Sequence, residues 1–212
     1  MRSAWPLLLL GALAASAHDR LAALDWFAVL TAVKGMPAGA WAAALIASLA
    51  SYAAAGGYDA LVHRLLGTGV SAGRAARSGM AAIAISQMTG FGLATGALTR
   101  WHLLPGLGPV QAARVTLGVT VSFVLSWLVL SATALVLFQP RDTPLWAALQ
   151  APANLVLVLS GLACAGALIV PVLRVGRRRI EVPPVRVLGR FLLAAAADTA
   201  AAALVLHAFL PP

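Results

Sequence analysis

Between Ala81 and Trp101 the chain carries an apolar segment of bilayer-crossing length, AAIAISQMTGFGLATGALTRW, with Ser86, Gln87, Thr89, Gly90, Gly92, Thr95 and Gly96 through its middle. Hydrocarbon offers backbone groups no hydrogen-bond partners. Polar, glycine-broken backbone at that depth therefore survives only where protein or a watery cavity surrounds it. Interrupted apolar segments of this kind point to binding sites in transporter-like proteins.

The surrounding chain is suited to a bilayer. Hydrophobic residues make up 61% of the 212 and charged residues only 10%, too lopsided for a soluble core. Stretches of roughly 17 to 25 apolar residues can span, and they occur at Ala38 to Leu61, Val115 to Phe138, Trp146 to Leu173 and Leu188 to Leu210. A shorter run, Leu7 to Ala17, opens the chain. With Arg2 before it and Ala15-Ser16-Ala17 at its end, it fits either a cleavable secretory signal or a short, tilted first helix within residues 1–18. The expected fold is all-α, a polytopic helical membrane protein with about five spans plus a re-entrant broken-helix hairpin, forming one integral membrane domain over residues 1–212.

The net charge of +9 does not indicate nucleic acid as a partner, because the arginines lie between apolar spans with no soluble domain to carry a basic surface. They read as topology signals. Arg64, Arg74 and Arg77 form one basic stretch, and Arg174, Arg177, Arg178, Arg179, Arg186 and Arg190 a stronger one. The positive-inside rule puts both in the cytoplasm. Three crossings would separate them if Ala81 to Trp101 spanned fully, which sets them on opposite sides. Only two remain if residues 79–101 dip in and return, as two half-helices of about nine residues reaching about 14 Å each. A plain span lined with small residues for helix packing is the alternative. Residues 19–36, with Leu21, Leu24, Trp26, Phe27, Leu30 and Val33 at roughly helical spacing, read as an amphipathic helix on the membrane interface.

Asp198 lies eight residues beyond Arg190 inside an apolar run, roughly 12 Å along a helix. A carboxylate there costs a few kcal/mol unless paired or wetted, so it either serves a function or hydrogen-bonds a neighbouring Ser, Thr or Arg. Thr116, Thr120, Ser122 and Ser126 recur on one face of a span and read as packing glue. His18, His63, His102 and His207 have no metal-ligand spacing, so neither a metal nor another cofactor is expected.

Three stretches together carry a resemblance. Ser51-Tyr52-Ala53-Ala54-Ala55-Gly56-Gly57-Tyr58-Asp59 followed by Arg64, then Ile85-Ser86-Gln87-Met88-Thr89-Gly90-Phe91, then Thr95-Gly96 with Arg100, resemble the membrane region of bacterial lysylphosphatidylglycerol flippase/synthases and their YbhN-type stand-alone relatives. Asp198 to Leu206 with Leu210-Pro211 is similar to a later helix of that region, and the resemblance runs from about Leu24 to the C-terminus. It implies a domain that moves aminoacylated phosphatidylglycerol, or a related phospholipid, across the bacterial cytoplasmic membrane, a lipid transport activity tied to antimicrobial peptide resistance. It also implies that Asp59 and Arg100 take part in flipping. The chain departs from the family where Gln87 to Thr89 replace asparagines before the Gly-Phe pair, and where His102 replaces the second Arg of an Arg-aromatic-Arg motif. It looks like the first part of the flippase region, ahead of the later helices and the soluble aminoacyl-transferase domain.

The residues themselves suggest how such a site would work. Asp59 and Arg100 close their helices on the same side, so they can meet. Arg100 would hold a headgroup phosphate, helped by the positive end of a half-helix starting near Gly90 or Gly92, while Asp59 attracts an amine. Alternatively the two form an ion pair that locks two helices, or snorkel separately to the headgroups. The expected substrate-binding set is Asp59, Arg100, Asp198, Ser86, Gln87, Thr89 and Gly90. Catalysis is not expected. The single cysteine, Cys164, excludes a disulfide relay, and no nucleophile elbow, P-loop or dinucleotide fingerprint occurs. Expected partners are phospholipid headgroups and membrane lipids, with a homodimer or a partner membrane subunit supported by the small residues of Ser51 to Gly57. Two other functions fit the same features: a non-catalytic membrane subunit of a lipid-modifying system, and a proton-coupled small-molecule carrier using Asp198.

Overall fold

The computed structural model describes residues 22, 25–89, 91–138, 144–169, 172–175, 178–181 and 183–210. The chain divides into two compact units, Met1–Ala42 and Ala43–Pro212. In the first unit, helix α1 spans Trp26–Gly35. It starts where it does because Asp25 caps it. Its Oδ1 accepts the amides of Phe27 and Ala28 at 3.0 Å each, satisfying donors that the first turn leaves without partners. Trp26, Phe27 and Leu30 are exposed. The earlier residues of the expected interfacial segment, apart from Ala22 and Asp25, and the opening run Leu7 to Ala17 lie outside the described residues.

Helix α2 spans Ala38–Leu65, beginning just after Pro37 and ending ahead of Gly67 and Gly69, whose φ of 59° and 73° are left-handed turn conformations that glycine adopts without strain. Then come α3 (Ala72–Thr89), α4 (Gly92–Leu103), α5 (Pro109–Phe138) and α6 (Pro144–Ile169). A short antiparallel ribbon follows, β1 (Val172–Val175) paired with β2 (Arg178–Glu181), and α7 (Val185–Ala208) closes the described chain. The fold is all-α apart from that ribbon. Among the described residues four helices are long and apolar enough to cross a membrane: α2, α5, α7 and the Trp146–Ile169 portion of α6.

Several boundaries differ from expectation, and two of the differences bear on the architecture. The first arm of the broken segment begins at Ala72, so it has 18 residues rather than about nine. The run AGRAARSGMAA is rich in strong helix formers, which carries the helix back through Arg74 and Arg77. The third apolar stretch is helical as far as Ile169, and two residues on the sequence has Pro171, a residue disfavoured in a helix interior. Leu173, expected at the end of that span, belongs to β1.

The break falls where polarity and glycine predict it, between Thr89 and Gly92, and there the chain reverses. Gly79 and Arg100 both meet the side chain of Asp59, although a continuous helix would hold them about 30 Å apart at 1.5 Å per residue. Across the fold-back, Ser86 donates to the carbonyl of Gly92 at 3.1 Å and lies 3.1 Å from the Thr95 hydroxyl. The main core sits where α2, α5 and α7 meet, with Tyr58, Val62, Val115, Val119, Phe191 and Ala195 buried together. Tyr58 packs edge-on to Phe123 at 5.8 Å and tilted against Phe191 at 4.8 Å. A second cluster, Leu104, Leu107 and Ala112, fixes the turn from α4 to α5.

Candidate functional site

Asp59 is completely buried, and Arg100 almost so at 2% exposure. Arg100 reaches across from α4 to grip both carboxylate oxygens. Its Nε donates to Oδ1 at 3.2 Å and to Oδ2 at 3.1 Å, and its Nη2 also donates to Oδ2. Nη1 turns away to the Gly96 carbonyl at 3.1 Å and the Thr116 hydroxyl at 3.0 Å. The Thr116 hydroxyl in turn donates to the Ala112 carbonyl at 2.9 Å. The guanidinium is therefore held by three elements, and neither ion is left uncompensated in a region where an unpaired charge would cost several kcal/mol.

Small residues make that grip possible. A methyl group on Gly79 would overlap Cβ of Asp59, and one on Gly96 would lie 3.1 Å from Nη1 of Arg100. One turn below Asp59, His63 is also buried. Its Nε2 stands 3.5 Å from Oδ1 of Asp59 without forming a hydrogen bond, while Nδ1 is 2.8 Å from the Thr68 hydroxyl. Sequence reasoning finds Asp59 and Arg100 and misses Gly79, His63 and Thr116. Thr116 reads as packing glue, because helical spacing on α5 shows a shared face but not what that face touches.

Other expected residues gather elsewhere. A cavity of about 330 Å³ lies between α3, α4 and α5, lined by Ser86, Gln87, Gly92, Arg100, Thr116 and Thr120. Gln87 and Thr120 also line a second cavity of about 270 Å³, with Ser51, Tyr52, Tyr58 and Asp198. A third, about 320 Å³, shares Phe123 and Asp198 with the second and adds Trp127 and Thr199. The three form a run from Arg100 to Asp198. Two hydrogen bonds cross it: the Tyr52 hydroxyl donates to Oε1 of Gln87 at 2.9 Å, and the Ser51 hydroxyl donates to Oδ1 of Asp198. Thr89 turns back to the carbonyl of Ile85 at 2.8 Å and is not part of these walls, and Gly90 lies outside the described residues. Serine and tyrosine at 51 and 52 are legible in the sequence only as small or aromatic positions on a span. Their partners lie on α7 and α3.

Chemically, the first cavity offers the N-terminal end of α4 at Gly92, favourable to anions, beside a buried Arg100 whose guanidinium is already engaged by Asp59, Gly96 and Thr116. The second and third offer a carboxylate among aromatic rings. Four long apolar helices and a broken-helix hairpin define a polytopic helical membrane protein, with open, largely apolar cavities that carry a few polar groups between the helices. No family model fits the chain, and no curated protein is significantly similar to it.

Proposed function

We propose that this protein translocates a phospholipid, in the first instance an aminoacylated phosphatidylglycerol, across the bacterial cytoplasmic membrane. The observation that carries the reading is the run of three cavities from Arg100, past Gln87 and Thr120, to Asp198. A phosphate suits the end that holds the N-terminus of α4 at Gly92, where the charge of Arg100 is already met by Asp59. The intervening hydroxyl and amide groups replace water along the way, and the acyl chains stay in lipid. The hairpin α3–α4 enters from the cytoplasmic side in this reading, since it leaves both basic stretches inside. Asp59 acts by holding Arg100 in place rather than by touching substrate. The resemblance to the lysylphosphatidylglycerol flippase region supports the same reading from the sequence.

The test is leaflet accessibility of lysylphosphatidylglycerol in proteoliposomes, followed with a membrane-impermeant amine reagent. Wild type and the Gly57→Ala control should raise the labelling rate equally, because Gly57 has open space around its Cα. Gln87→Leu, which removes a polar wall shared by two cavities, should lower it at least tenfold. Labelling at the empty-vesicle rate with folded wild-type protein overturns translocation by this chain and favours a non-catalytic membrane subunit.

A further inference from the structure

Asp198 lies near the middle of α7, about 20 Å from Val185 and about 15 Å from Ala208 at 1.5 Å per residue. The Ser51 hydroxyl donates to its Oδ1. Among the described residues no lysine, arginine or histidine stands within ion-pair distance of it. This contrasts with Asp59, whose charge is met by Arg100. A carboxylate at that depth needs a cation or water to offset its burial, and Asp198 opens onto cavities that can hold one. The walls of those cavities have a particular chemistry. Tyr52, Tyr58 and Phe123 line one side with Asp198, and Phe123 and Trp127 line the other. Aromatic faces attract organic ammonium groups through their quadrupole, and attract them more when water is excluded. A carboxylate in a cavity with aromatic residues in its walls suits an ammonium, a cation that both the charge and the rings attract.

We infer that Asp198, with Tyr52, Tyr58, Phe123 and Trp127, forms a binding site for a primary ammonium group. The two cavities, about 270 and 320 Å³, lie just below and just above the lower limit of small-molecule sites, about 300 Å³. The ammonium can come from a lipid headgroup or from a free amine. The inference deepens the translocation reading, because it assigns the amine of the headgroup to Asp198 instead of to the sealed Asp59. It is nevertheless measured by binding rather than by transport.

The experiment is calorimetric titration of n-butylammonium chloride into the full chain in phosphatidylglycerol nanodiscs. Saturable binding is expected, weakened at least tenfold in Asp198→Asn and about threefold to tenfold in Phe123→Leu, with little competition from sodium chloride. If Asp198→Asn fails to fold, Phe123→Leu decides alone, since it keeps the carboxylate and removes one aromatic face. In nanodiscs containing lysylphosphatidylglycerol, loss of butylammonium binding identifies the lipid as the source and unchanged binding identifies a free amine; both uphold the site. Absence of saturable binding to wild type, full binding by the folded variants, or equal displacement by sodium overturns it. Ammonium binding without lipid flipping would leave this site standing and remove the translocation reading. Flipping without ammonium binding would do the reverse.

Discussion

Asp59 and Asp198 are both aspartates on long apolar helices, yet their surroundings are opposite. Asp59 is fully buried, gripped by Arg100 and pressed against Gly79 so closely that a methyl group there would overlap it. Asp198 is partly buried, has Ser51 as its hydrogen-bond donor and faces two cavities. The first carboxylate is neutralised by its own protein and joins α2 to the hairpin. The second leaves its charge available to something that enters. Position within an apolar helix marks a charge as costly, and only its neighbours determine whether that cost is met inside the fold or from outside.

The comparison can be broken most forcefully at Arg100. Arg100→Met strands Asp59 without a counterion, and a loss of about 3–5 kcal/mol is expected, read as the shift in an unfolding titration in mixed micelles. The double variant Asp59→Leu with Arg100→Met should recover much of that loss, because removing both members of a buried pair is far less costly than removing one. A double variant as unstable as Arg100→Met would mean that the pair contributes more than charge compensation.

Gly79→Ala should cost about 1–3 kcal/mol through overpacking against Asp59 in the same titration. Gly57→Ala, on a helix with open space around it, should be neutral or stabilising by up to about 1 kcal/mol through helix propensity. Equal effects at the two glycines would show that the close approach of α3 to Asp59 is wrong.

Tyr58→Phe removes the hydroxyl that lies 3.2 Å from that of Ser126 while keeping the rings packed on Phe123 and Phe191. A loss of about 0.5–1.5 kcal/mol is expected, visible as a lowered unfolding midpoint. The smallest stability effect belongs to Asp198→Asn, which keeps an oxygen to accept from Ser51 and should change stability by less than about 1 kcal/mol. Its ammonium binding should fall at least tenfold, and it is this separation of stability from binding that distinguishes Asp198 from Asp59. A large stability loss at Asp198→Asn would make the two carboxylates alike after all.

Much of the frame is legible from the residues. Apolar runs bounded by Pro37, Pro109 and Pro184 mark helix starts, because proline is tolerated in or just before a first turn and not in the interior. The polar, glycine-bearing run from Ser86 to Gly92 marks the break. The ribbon after Ile169 is harder to read, although Val172 to Glu181 combines a short β-branched pattern with Gly176 between its halves, the signal of a hairpin. The arginines there read first as topology markers and mask that pattern.

A bilayer tests a chain residue by residue, and the features it tests are readable from the residues: which segments are apolar enough to sit in hydrocarbon, where helices begin, and where polarity and glycine interrupt one. These are local properties, because transfer free energy and backbone hydrogen bonding are settled within a few turns of helix. Tertiary structure alone decided the pairings. Asp59 with Arg100, Tyr52 with Gln87 and Ser51 with Asp198 join residues 41, 35 and 147 positions apart, and no local pattern specifies such matches. They follow from the fold-back of α3 on α4 and the packing of α7 beside α2 and α5, which bring one aspartate against a cation and leave the other facing a cavity.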